Sequence, residues 1–149
     1  MYKKIISLFI LIILSLTVVG IEDFTASSQK STIGVCQCTI SEDIVYIDNQ
    51  NPVEQTRTFV INGLTEETGT FTRVPSTYTI SHSGQAAEWA QSVPSVVSSI
   101  ERASIKNVIN APCDAEGDYS LITHITTGQG LEKSFEQTVQ VQVCENIKT

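Results

Sequence analysis

Four cysteines carry the clearest chemistry in the chain: Cys36, Cys38, Cys113 and Cys144. An even number of thiols downstream of an export-type segment reads as disulfides, because an oxidising compartment keeps such bonds closed. Zinc is the competing chemistry, but structural zinc sites usually pair C-x2-C units, whereas this chain has one C-x-C and two isolated cysteines. His82 and His124 do not complete a metal set, since neither His-x-His nor His-x3-His spacing occurs. A thiol-exchange centre at Cys36-Gln37-Cys38 is disfavoured by its strand-like flanks, because reactive thiols of that kind sit at a helix N-terminus that lowers their pKa.

The remaining reactive side chains point away from catalysis. Acyl transfer needs a serine, a histidine and an acid brought together, yet no G-x-S-x-G turn is present and His124 falls on the outward phase of a strand pattern. Glu42-Asp43 and Glu66-Glu67 are adjacent acids, which point to opposite faces of a strand or lie in a loop, and so do not form a glycosidase pair. No calcium-loop pattern occurs. The sequence therefore predicts no catalytic residue, no metal and no cofactor, hence not an enzyme. Trp89, among Ala86, Ala87, Glu88 and Ala90, reads as a core filler or end plug on a helical turn or folded-over loop. Its functional alternative is a stacking platform for a sugar ring beside Gln85, Glu88 and Gln91.

Residues 1–20 have Lys3 and Lys4 followed by an apolar run from Ile5 to Val19, the pattern of a signal peptide or an uncleaved anchor. Either way the remainder faces outward, and a membrane is touched through residues 1–20 alone. The 149-residue chain has a formal net charge of -7, and loss of Lys3 and Lys4 takes it to about -9. Its other basic side chains are scattered singly, which excludes the clustered cations that nucleic acid requires. Residues 21–35 are rich in Ser and Thr and read as a flexible linker, leaving 36–149 as one domain.

That domain has an all-β rhythm: short β-branched and aromatic runs separated by Gly, Pro, Asn and acidic clusters. Seven strands are expected, at 39–47, 57–61, 77–81, 96–100, 104–110, 118–126 and 133–143. Period-two alternation puts Tyr119, Leu121, Thr123 and Ile125 on one inward face and Phe135, Val139, Val141 and Val143 on another. Gly128, Gln129 and Gly130 supply positive-φ turn positions, so the last two strands form a hairpin. Cys113 and Cys144 are placed symmetrically about that turn, which predicts a Cys113–Cys144 bridge. Cys36 and Cys38 are then left to pair with each other or with another chain; three connectivities are formally possible.

Asn62-Gly63, Tyr78, Trp89 followed by Pro94, Ala111-Pro112, the strand start Gly117-Asp118-Tyr119, and the finish Val139-x-Val141-x-Val143 occur in an order and spacing that form a pattern. From Ile61 to Val143 the chain resembles the Ig-like accessory domains of the α-galactosidase-associated type found in archaeal and bacterial surface glycoproteins, S-layer-type proteins and multidomain glycosidases. It departs from them at Glu101-Arg102-Ala103-Ser104, where a different turn is usual, and in its cysteines. The resemblance implies an Ig-like β-sandwich in an extracellular accessory or structural role, with other envelope proteins or surface glycans as partners. Tyr119 also suits a tyrosine corner, its hydroxyl bonding nearby backbone and fixing a crossing between sheets. A filament or complex subunit joined by strand addition or an intermolecular disulfide is the alternative.

Overall fold

The structure is a computed structural model that describes residues 22–58 and 68–145. Alternating short runs of apolar residues build eleven strands among the described residues. They are β1 (Phe24–Ser28), β2 (Thr32–Cys36), β3 (Ile40–Asn49), β4 (Val53–Thr58), β5 (Thr68–Arg73), β6 (Ser76–Ser83), β7 (Ala90–Val93), β8 (Val96–Ser99), β9 (Arg102–Asn110), β10 (Gly117–Thr127) and β11 (Glu132–Gln142), with a 3-10 turn at Ala87–Trp89. β1-β3-β9-β7 form one sheet and β2-β11-β10-β6-β8 the other, while β4 and β5 pair as a two-stranded ribbon. Two stacked sheets make a β-sandwich, and the inward side chains of each strand recur at period two, as in β9, where Ala103, Ile105, Asn107 and Ile109 are buried.

The expected hairpin is present. β10 and β11 pair antiparallel from Gly117↔Val141 to Thr126↔Glu132. Thr127 closes the turn, its carbonyl accepting from the Gly130 amide at 3.0 Å. Of the three expected positive-φ positions, Gly130 alone takes one, at φ 92°. Tyr119, Leu121, Thr123 and Ile125 lie on the inward side, as do Val139 and Val141, but Val143 lies beyond β11 and is exposed. The inward position between Phe135 and Val139 is occupied by Gln137, which is buried.

The linker reading of 21–35 is corrected: residues 22–35 belong to the sandwich. Each of the two strands there needs only two inward apolar side chains, Phe24 with Ala26 and Ile33 with Val35. Such short edge strands leave too few apolar residues to stand out in a Ser/Thr-rich stretch. Phe24 meets Tyr78 edge to face at 5.3 Å. Lys133 fixes the start of β1 from the opposite sheet, donating to the Asp23 carboxylate at 2.7 Å and to the Phe24 carbonyl. β1 and β2 lie in different sheets, and β2 runs parallel to β11. The segment 1–20 lies outside the described residues; no helix among the described residues is long and apolar enough to cross a membrane.

Candidate functional site

Both ends of the sandwich and its middle hold polar or covalent chemistry. At one end the four cysteines form two intrachain bridges, Cys36–Cys144 and Cys38–Cys113, with Cα separations of 5.4 and 4.4 Å. The expected Cys113–Cys144 bridge is therefore corrected, and no thiol is left for another chain. Strand direction explains the pairing. Parallel β2 and β11 align Cys36 with Gln142, two residues before Cys144. Antiparallel β3 and β9 place Ile40 opposite Asn110, so the residues just outside them, Cys38 and Cys113, meet at the same end. The hairpin symmetry that favoured Cys113 as the partner of Cys144 stops at Gly117, where β10 begins.

Next to this end, Trp89 is half-buried and meets Tyr119 edge to face at 4.6 Å, both rings packing on the cluster of Ile33, Ala86, Leu121 and Val139. Tyr119 Oη donates to the Glu116 carbonyl at 3.0 Å and accepts from the Glu116 amide at 3.2 Å. Gly117, between them, takes φ 102°, a conformation that a side chain would strain. Tyr119→Phe removes both bonds while keeping the ring, so we expect a loss of about 1 kcal/mol in a urea melt. No measurable loss would show that the hydroxyl is not holding the turn. Asn62 and Gly63 lie outside the described residues.

Midway along the sandwich the apolar core is interrupted. One apolar cluster gathers Ile33, Val35, Ile109, Leu121, Val139 and Val141; the other gathers Phe24, Val45, Ile47, Tyr78, Ile105 and Ile125. Between them lies a polar layer contributed by both sheets. Asp43, Asn107 and Ser92 are cross-strand neighbours in one sheet; His82 and Thr123 pair in the other, with Gln137 one diagonal step away on β11. Asn107 and Thr123 are completely buried, and Asp43, Ser92 and Gln137 nearly so. Four of these side chains close a ring. Ser92 Oγ donates to Asn107 Oδ1 (2.8 Å), and Asn107 Nδ2 donates to Thr123 Oγ1 (3.1 Å). Ser92 has given its one proton to Asn107, so His82 Nε2 donates to Ser92 Oγ (2.8 Å), and the Thr123 hydroxyl faces His82 Nδ1 (3.4 Å). On the far side Gln137 Nε2 donates to Asp43 Oδ2 at 2.7 Å and to the Lys30 carbonyl at 2.6 Å.

The ring is complete with a neutral imidazole. Burial, and then the neighbouring His124, hold the His82 pKa below its ordinary 6.5. The unfolded chain thus takes up a proton before the folded one does. The His82 contribution to stability is fully present above about pH 6.5 and is lost as pH falls from there toward the lowered folded value. Urea melts at pH 7.5 and 5.5 should show a steeper loss in the parent than in His82→Gln; equal slopes would show that the imidazole is not the titrating group.

His124, one residue after Thr123 on β10, lies on the outward face of the same sheet. It is not simply solvated: its Nδ1 bonds Glu132 Oε1 at 2.9 Å and its Nε2 bonds Ser83 Oγ at 2.6 Å. Sequence gave no signal for this trio, because Ser83, His124 and Glu132 lie on three strands and only the β6-β10-β11 register brings them together. At the end of the sandwich away from the disulfides, Asp48, Asn49, Gln50, Arg73, Glu101 and Arg102 line an open cavity of about 310 Å³. Arg102 forks onto the Asp48 carboxylate at 2.6 and 3.2 Å and holds it below the usual carboxylate range. Arg73 donates to the Asn51 carbonyl at 2.7 Å. Buried Asn49 and Asn51 tie the strands behind this wall, Asn49 Nδ2 reaching the carbonyls of Val74 and Ser99. Among the described residues no group of three or more His, Cys, Asp or Glu is arranged to hold a metal.

No family model matches this sequence, and no curated protein matches it. Solved structures do. PapD-like domain 7 of human CEP192, an ASH/PapD-like domain, superposes with a TM-score of 0.51 at 10% identity, over 80% of this chain and 87% of that one. A family 123 glycoside hydrolase from Clostridium perfringens matches with a TM-score of 0.50 at 10% identity, over 82% of this chain but 28% of the enzyme. The periplasmic chaperone SfaE matches with a TM-score of 0.47 at 4% identity, over 84% and 60%. At such identities the likeness is one of fold: the chain is an Ig-like β-sandwich.

Proposed function

We propose that this chain is an exported Ig-like module that works by its surface rather than by turnover, as a structural or binding element of the cell envelope. The observation that carries the reading is the pair of intrachain disulfides, which fits an oxidising, extracellular setting. Both bridges tie the β2–β3 connection to the loop after β9 and to the tail after β11, a covalent clasp suited to a module that operates outside the cell. The accessory-domain type suggested by Tyr78, Trp89 and Gly117-Asp118-Tyr119 is the finer form of the same proposal, with envelope proteins or surface glycans as partners. Mass spectrometry of alkylated protein from the native exported fraction tests it. We expect both bridges to be closed and residues 1–20 either removed or retained as an anchor. Free, alkylated thiols in the native protein would overturn the reading.

A subunit role by strand addition is the second reading, and the sheet edges favour it. β8 and β7 end their sheets, and Val93, Val96 and Ile100 around them are about half exposed. Intermolecular disulfides no longer contribute, because both bridges are internal. Sedimentation at increasing concentration separates the readings: assembly that is abolished by Val96→Lys supports the second, and a monomer throughout refutes it.

A further inference from the structure

The outward face of the five-stranded sheet holds an arrangement that the proposed surface role does not use. Ser83 ends β6, His124 lies in β10 and Glu132 opens β11. Register alone lines them up: Ser83 stands opposite Ile122, and Glu132 opposite Thr126, so each flanks His124 diagonally from its own side. The carboxylate of Glu132 accepts from His124 Nδ1 at 2.9 Å. An ionised carboxylate has no proton to give, so Nδ1 carries the hydrogen. In the neutral imidazole Nε2 then presents its lone pair to Ser83 Oγ, 2.6 Å away. This is the order of contacts, acid to imidazole to hydroxyl, that makes a serine nucleophilic.

Exposure keeps the trio reachable while holding its geometry. The His124 side chain is 26% exposed and Glu132 54%. Ser83 is held at a fixed strand end by its successor. Gly84 takes φ 93°, and a Cβ there would come within 2.7 Å of the Ser120 carbonyl oxygen. The chain consequently turns sharply after Ser83, and the turn is fixed by the Ala86 amide donating to that same carbonyl at 3.0 Å. Among the described residues, no lysine or arginine is bonded to the trio.

We propose that Ser83 is an acylation site, with His124 as its general base, Glu132 as the group that positions His124, and an activated carboxylic ester as the acyl donor. The Ser83 oxygen attacks the ester carbonyl and forms the new C–O bond as its proton passes to His124 Nε2. The ester C–O bond then breaks, and the departing alcohol or phenol takes that proton from His124. Serine hydroxyl plus ester yields serine ester plus alcohol, with no oxidant or further reactant. For a surface module the product is a covalent attachment of one acyl group per chain. It goes beyond the proposed envelope role, and it stands or falls separately from the module's partner.

The test uses the folded, disulfide-intact protein and p-nitrophenyl acetate, with p-nitrophenolate release followed optically and the adduct located by peptide mass spectrometry after acid quench. A fluorophosphonate, which gives a stable serine adduct, is the second probe. We expect modification at Ser83, its loss in Ser83→Ala, and a fall of about 100-fold in rate in His124→Gln, in line with the usual contribution of a general base. Glu132→Gln should give a smaller fall. All three positions face outward, and matching urea midpoints establish that the variants are folded. If the trio only pins three strands together, release will be the same in the parent, Ser83→Ala and His124→Gln, or adducts will appear on lysines alone. Either result overturns the proposal.

Discussion

Replacing Cys36 and Cys144 by alanine should lower the stability of the domain by about 3 to 4 kcal/mol. The bridge closes 108 residues of sequence separation. With Cys38–Cys113 intact, however, the loop that it closes shrinks to the short 36–38 and 113–144 segments, roughly 35 residues. The chain-entropy effect is correspondingly below that of a free 108-residue loop. Removing Cys38 and Cys113 as well reopens the whole loop and should bring the total to about 8 kcal/mol, as large as the whole stability of many domains, about 5 to 15 kcal/mol. Urea unfolding followed through Trp89, which packs on the core cluster beside the bridges, reads the effect directly. A loss below about 1 kcal/mol for Cys36→Ala/Cys144→Ala would show that the tail after β11 is held by the β2–β11 ladder without help from the covalent bond. Disulfide mapping supplies an independent check: the structure requires peptides joining Cys36 to Cys144, and a Cys113–Cys144 peptide would contradict it.

Asn107→Leu is expected to cost about 2 to 4 kcal/mol although it replaces a polar side chain by an apolar one of similar size in the core. Asn107 is completely buried, accepts from Ser92 and donates to Thr123. Its loss leaves the Ser92 hydroxyl proton without an acceptor and the Thr123 oxygen without its donor, and opens the ring at the point opposite His82. Each buried group left without a partner costs about 1 to 3 kcal/mol. Removing partners together should recover part of this, so Asn107→Leu/Thr123→Val should lose less than the sum of the single variants. A stable Asn107→Leu variant, or strict additivity of the pair, would show that the layer is not a connected network. The layer also restricts register. A one-residue slip of β9 would turn Asn107 outward and leave Thr123 and Ser92 facing apolar atoms.

How much of this was legible in the chain depends on how local the signal is. The β10–β11 hairpin is legible because Tyr119 to Ile125 and Phe135 to Val141 alternate around a glycine-bearing turn, and neighbours in sequence are neighbours in space. β1 and β2 leave little trace in the sequence because Ser-rich edge strands need so few apolar residues. The inward position of Gln137 carries no local signal, because the polar layer places a hydrogen-bonding side chain where alternation leads one to look for Val or Leu. Val143 continues the alternation one step past the end of the ladder and so is exposed where the pattern alone puts it inward. The disulfide pairing is not legible for a different reason, since it depends on β2 running parallel to β11 and on β3 lying beside β9, relations that join segments up to about a hundred residues apart.

By itself the sequence determined the all-β class, the final hairpin and the commitment of the cysteines to disulfides. These follow from composition and from period-two patterning, which act over a few residues at a time. Tertiary structure decided which cysteines meet, that residues 22–35 belong to the body, that six polar side chains from six strands share one layer, and that Ser83, His124 and Glu132 stand in a row. Each of these is a consequence of strand order and register. Those are settled by how whole faces pack against one another, so no stretch of chain carries them alone.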